Sequence, residues 1–270
     1  MRWTALSYRC PKSRSEPMRT PRHRMRVWGR TALGAGLALA LVTTSQAAAQ
    51  EIVSARYDGP TTRYPHGVLG DDIEYDTLLV RLSDGREISA RWARDIVFED
   101  LAPRVVDVDG DGAPEVVVVE SHESQGARLA IWGLTDGGNL ATKAATPFIG
   151  TRFRWLAPVA VADLDGDGLV ELAYVDRPHL AKVLRVWRYE PLRAGHVALT
   201  EVATLEGVSN HRIGWDYIAG GLRDCGQGPE MVLADAGWSS IVTVTFDGTS
   251  LSRRQLGDYT ADALERALGC

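Results

Sequence analysis

The chain has 270 residues, 45% hydrophobic and 24% charged, with a formal net charge of −5. That length can bury a sizeable core, and the acidic balance excludes a phosphate-backbone binder, whose affinity rests on Lys and Arg. No segment is apolar over the roughly 20 residues that a membrane-spanning helix needs.

Residues 1–49 differ in composition from the rest. They hold nine Lys/Arg and one acid. Arg26 and Arg30 precede a 12-residue apolar run, Thr31 to Val42, and Ala47-Ala-Ala49 supplies the small residues of a cleavage site. This is the pattern of a secretory signal peptide. Met25 begins a leader of ordinary length, and residues 1–24 fit an upstream start that is not used. No Arg-Arg pair precedes the apolar run, so ordinary export is expected rather than the twin-arginine route. Cleavage before Gln50 leaves 21 of the 30 basic and 34 of the 35 acidic residues, a formal −13. The expected product is periplasmic or secreted, with no transmembrane segment and no nucleic-acid partner. Cys225 and Cys270 remain after cleavage, and an even pair in an oxidising compartment is a disulfide candidate; the alternative is two free thiols.

A first unit, about residues 55–95, carries one hairpin signal, Leu82-Ser-Asp84-Gly85. Its Gly70-Asp-Asp72 is at best a remnant of an acidic loop that is intact in the next two units. There, Asp107-Val-Asp109-Gly-Asp111-Gly-Ala113-Pro-Glu115 recurs as Asp163-Leu-Asp165-Gly-Asp167-Gly-Leu169-Val-Glu171. Hard oxygen ligands at alternate positions of a Gly-bent loop suit Ca²⁺. The expected ligands are the carboxylates of Asp107, Asp109, Asp111 and Glu115 with the Ala113 carbonyl, then those of Asp163, Asp165, Asp167 and Glu171 with the Leu169 carbonyl. That makes about two structural Ca²⁺ ions; the competing reading is a pair of solvated Asp-Gly turns. An EF-hand is excluded because its twelfth position falls on Val118 and Tyr174, inside the strand-like runs Val116–Val119 and Leu172–Val175.

Further along, Ile131–Gly137 and Val244–Gly248 carry Asp-Gly turns, and Val186–Gly195 occupies the matching place between them. Leu222–Glu230 is a third copy that has lost its acidic triad, so the same hairpin without metal is expected there. Thr260–Leu268 reads as a short capped helix. Trp132, Trp155, Trp187, Trp215 and Trp238 recur at near-unit spacing and suggest packing between units, most plainly for Trp132 and Trp187.

The two acidic loops resemble the FG-GAP repeats of integrin-like β-propellers, called VCBS-type repeats in bacteria. The resemblance implies an all-β fold. Units of roughly 55 residues leave room for a small propeller of about four blades over residues 50–270, closed or partial, where the family usually has seven. It also implies a ligand-receiving face opposite the calcium. Repeat alignment gathers His122, Arg154, Trp155, His179, His211, Arg212, Trp215 and Trp238 on that face, with Arg63 and His66 in a matching segment. Tyr, Trp and Arg dominate binding hot spots, although ordinary loop residues would read alike. No catalytic signature is present. The expected function is an exported, calcium-binding, non-enzymatic binding module for a protein or glycan. The alternatives are a carbohydrate-active or metal-dependent enzyme using His122, His179 and the acids Glu120, Asp176 and Asp235, or a purely structural envelope protein.

Overall fold

The computed structural model describes residues 50–192 and 196–270. The expected signal peptide and the tip of the Leu192–Gly195 turn lie outside them. The described chain is built of strands and one short helix. In order, these are β1 (Ile52–Thr61), β2 (Glu74–Leu82), β3 (Glu87–Arg91), β4 (Ile96–Phe98), β5 (Arg104–Val106), β6 (Glu115–His122), β7 (Gly126–Leu134), β8 (Leu140–Ala145), β9 (Leu156–Ala162), β10 (Glu171–Asp176), β11 (Val183–Pro191), β12 (Val197–Glu206), β13 (Val208–Ser209), β14 (Gly221–Asp224), β15 (Pro229–Asp235), β16 (Ser240–Phe246), β17 (Leu251–Asp258) and the helix α1 (Ala261–Leu268).

All strand pairs are antiparallel, and consecutive strands pair within three meanders, β5–β8, β9–β12 and β14–β17. The pairing does not close into a ring: the strands form three separate sheets, the first of which joins β1–β3 to β5–β8 through β4. The acidic loops connect the first and second strands of their meanders. The Asp-Gly turns connect β2 to β3, β7 to β8 and β16 to β17. By that correspondence β1, β2 and β3 match β6, β7 and β8. Among the described residues the first unit therefore has no counterpart of the innermost strand or of the acidic loop that follows it. Gly70-Asp71-Asp72 lies at the other end, between β1 and β2, and is not a remnant of that loop.

The sheets stack face on face. Val116 and Val118 of β6 pack toward Leu78 and Val80 of the first unit, with Phe98 of β4 in the same cluster, while Val117 and Val119 pack toward Leu156, Leu172 and Tyr174 of the next unit. Both faces of β6 are buried, which is why its sequence is an unbroken apolar run rather than an alternation. Val175, Leu184 and Val186 then meet Met231, Leu233 and Val242. The outward face of the last sheet, Val232 and Ile241, is covered by Leu264 of α1. Thr260 caps α1 by accepting the Ala263 N–H at 3.0 Å. A Cys225–Cys270 disulfide with Cα atoms 5.5 Å apart ties the chain beyond α1 to the loop after β14. At the other end of the stack, the outward face of β1–β3 shows exposed Arg56, Asp58, Arg81, Glu87, Ser89 and Arg91.

Trp132 is buried and donates to Glu120 Oε1 at 2.7 Å; Trp187 donates to the Tyr174 hydroxyl at 3.1 Å. Both pack between sheets, as their spacing suggested.

Candidate metal loops and the opposite face

Each acidic loop is shaped by its own carboxylates. In the first, Asp107 accepts the N–H groups of Gly110 (2.8 Å) and Gly112 (3.0 Å), Asp109 accepts Asp111 N–H (3.2 Å), Asp111 accepts Ala113 N–H (2.7 Å), and Glu115 accepts Val108 N–H (3.2 Å). The second repeats all five bonds: Asp163 with Gly166 (2.7 Å) and Gly168 (3.0 Å), Asp165 with Asp167 (3.1 Å), Asp167 with Leu169 (2.8 Å), Glu171 with Leu164 (2.9 Å). The two glycines of each loop sit at φ between 75° and 88°, where a Cβ would be strained. Carboxylate oxygens of Asp107, Asp109 and Glu115 all lie within 4.8 Å of one another, and so do those of Asp163, Asp165 and Glu171. Asp111 and Asp167, expected as ligands, stand outside these trios. Burial pushes the Glu115 and Glu171 carboxyls up, a cost that an adjacent cation reduces.

The acids five residues beyond each glutamate lie at or near the far ends of the second strands, away from the acidic loops. All are already partnered. Glu120 is wholly buried and takes Arg128 (2.7 Å), Trp92 and Trp132. Asp176 takes Arg177 (2.8 Å) and Arg185 (3.0 Å). Asp235 accepts the Ser239 and Ser240 N–H groups at 2.6 and 2.9 Å.

The innermost strands of the second and fourth units are interrupted at this end. Residues 99–103 separate β4 from β5, and residues 210–220 separate β13 from β14. The second insertion carries His211, Arg212 and Trp215. Trp155 and His211 were expected as surface contacts and are instead buried, at 2% and 0% exposure. Trp155 donates to the Glu99 carbonyl at 2.8 Å and stands edge-on to the His211 ring. His211 Nε2 lies 2.9 Å from the Trp215 carbonyl, and its Nδ1 lies 3.0 Å from His179 Nε2. A carbonyl only accepts, so His211 carries its proton on Nε2 and accepts one from His179. Burial, then the neighbouring His211, holds the His179 pKa down to about 4, and burial also lowers that of His211. Both rings are neutral at pH 7 and supply no positive charge.

The exposed part of the face surrounds Arg212. Its guanidinium lies 4.7 Å from the Trp238 ring centre, 5.6 Å from Trp215 and 5.9 Å from Tyr259. Trp215 stacks on Tyr217 at 4.5 Å and meets Trp238 edge-on at 5.1 Å. Tyr217 is 42% and Ile213 72% exposed. Trp238 holds φ of 57°, as does Phe153. His122 and Arg154 belong to another part: His122 packs on Phe148, and the Arg154 carbonyl accepts Ala127 N–H at 2.8 Å. Arg63 is structural, with its guanidinium bound to Ile96 and Trp92 carbonyls and to Asp76.

Sequence reasoning missed Tyr217, which a search for aromatics flanking Arg212 could have raised, and Tyr259, which only the fold brings to Arg212. It also missed a buried group. Glu99 is fully buried, joined to His66 Nδ1 at 2.5 Å and to the Ser121 hydroxyl. Burial, then the charge of Glu99, raises the nearby Glu74 to about 10, so Glu74 is protonated at pH 7.

No curated protein matches the chain. A crystal structure of a protein from Lactobacillus plantarum is similar at 13% identity over 70% of this chain and 56% of that one, with a TM-score of 0.38. The chain thus spans little more than half of that protein's length. Residues 107–174, which include both acidic loops and the strands between them, match the family of the FG-GAP-like repeat.

Proposed function

We propose that this protein is an exported, calcium-stabilised, non-enzymatic binding module. Its units are blades of a propeller-type array of about four that stays open, and a protein or glycan partner docks on the face opposite the acidic loops. The observation that carries this reading is the Arg212–Trp215–Tyr217–Trp238–Tyr259 cluster, in which Arg212 and Tyr217 are exposed and the other three rings are half-buried. Aromatic planes with one cation suit sugar rings and anionic groups, and the strained backbone at Trp238 is held by its surroundings. Partnered Glu120, Asp176 and Asp235 favour binding over acid–base chemistry at those positions. The first acidic loop fits a divalent ion: Asp107, Asp109 and Glu115 would hold it, with Asp111 and the Ala113 carbonyl completing the shell, and it would fix the β5–β6 corner.

Glycan-array and pull-down binding by the chain, with and without Arg212→Ala plus Tyr217→Ala, tests the site. Affinity should fall at least tenfold while the melting temperature moves little, since both side chains are exposed. Unchanged affinity for a bound partner places the docking surface elsewhere.

A further inference from the structure

We infer that the two acidic loops hold different cations: a divalent ion belongs in the first, and the guanidinium of Arg188 is the resident cation of the second. The chain then takes up one calcium, not two. This rests on the calcium reading above and narrows it to one loop.

The difference comes from strand register. Glu171 pairs across the ladder with Arg188. Val116 pairs with Trp132, so the position facing Glu115 is Gly133. Met231 pairs with Val244, so the position facing Glu230 is Thr245. One structural place thus carries Gly, Arg and Thr in successive units, and only the arginine can reach into its own loop.

Arg188 reaches fully. Its Nε lies 2.6 Å from Glu171 Oε1, and its Nη2 lies 2.5 Å from Asp165 Oδ2 and 3.3 Å from Asp167 Oδ2. Backbone N–H groups fill Asp163 Oδ1 and Oδ2, Asp165 Oδ1 and Glu171 Oε2. Every carboxylate oxygen of the Asp163–Asp165–Glu171 trio therefore already has a donor. A calcium ion there would displace or sit against a permanent positive charge that is 14% exposed. Phe246 of the next sheet lies 5.7 Å from that guanidinium and limits its retreat.

The first loop is open by comparison. Asp109 Oδ2 has no donor among the described residues, and Glu115 Oε1 has only Lys143 Nζ at 3.4 Å. Lys143 comes from β8 and crosses above Gly133, where a Cβ would fall 2.4 Å from its Cε. It is a single flexible ammonium at the rim. The fourth unit shows the opposite extreme: Glu230 is held by Arg223 at 2.5 Å and Arg254 at 2.9 Å, and the acidic triad is gone. The three glutamates form a series from a lysine at the rim, through an arginine within the triad, to arginines alone.

The experiment is calorimetric titration of the chelated full chain with calcium chloride. Wild type should bind one ion. Asp109→Ala should bind none, Asp165→Ala should still bind one, and Arg188→Met should bind two. Should Arg188→Met fail to fold because Glu171 loses its partner, Gly133→Arg with Lys143→Ala carries the arginine into the first loop without removing a buried pair. That variant should lose the single ion. Two ions in wild type, one of them lost with Asp165→Ala, overturn the inference and leave the calcium reading standing. No uptake by wild type or by Arg188→Met sinks the calcium reading, and this inference with it.

Discussion

At the scale of single residues, the face opposite the acidic loops has a buried layer and an exposed one. His179 and His211 belong to the buried layer, and their protonation couples to folding. The folded pKa of His179 is about 4, against roughly 6.5 in the unfolded chain. Below 6.5 the unfolded state binds more protons. The stability from the neutral ring is therefore complete above about pH 6.5 and is lost as pH falls toward 4. His179→Gln removes this term and leaves in both proteins His211, which titrates with the same sign, and Glu74 and Glu99, which titrate with the opposite sign. The stability of wild type relative to the variant should drop by about 1–3 kcal/mol between pH 7.5 and pH 4.5. A gap independent of pH would mean that the ring titrates normally in the fold. The sequence showed His and Trp clustered in loops. It could not show that Trp155 and His211 point inward, because the residues that serve as binding anchors also fill cores.

Among elements, the acidic loops, the apolar second strands and the capped helix were legible. Each rests on local chemistry: alternating carboxylates between glycines, β-branched runs, and Thr260 ahead of Ala261–Leu268. Three features were not. The insertions at 99–103 and 210–220 break an inner strand without a composition signal, since the strand resumes beyond them. That the first unit has no inner strand among the described residues is visible only once β1 is matched to β6. The equivalence of Gly133 and Arg188 needs the ladder register, which spacing along the chain does not give. The helix also has a role that its sequence did not announce, because Leu264 covers the outward face of the last sheet at 3% exposure. Leu264→Ala should lower stability by about 2–4 kcal/mol, with loss of amide protection concentrated in β15 and β16. A change below 0.5 kcal/mol would show that α1 does not cap the stack.

The whole described molecule is a stack of β layers with two different ends. One is a polar sheet face on β1–β3, and the other is a sheet sealed by α1 and tethered by the disulfide. Repeat arrays need such ends, since each internal layer buries both of its faces. The resemblance in the acidic loops led to the expectation of propeller blades. The strands form three sheets that do not close by pairing, with β1 and β17 each paired on one side only. A calcium ion held by the first acidic loop, as proposed, would act at a corner between strands, so its effect should be on stability. The most direct test of the account is thermal unfolding of the chain, chelated and then calcium-loaded. An ion held only by the native state at 100 times its Kd contributes about 2.7 kcal/mol, which for a domain of this size is a rise of about 5–11 °C in Tm. A rise of that order, reversed by chelation and abolished by Asp109→Ala, is the predicted result; identical melting curves with and without calcium would contradict it.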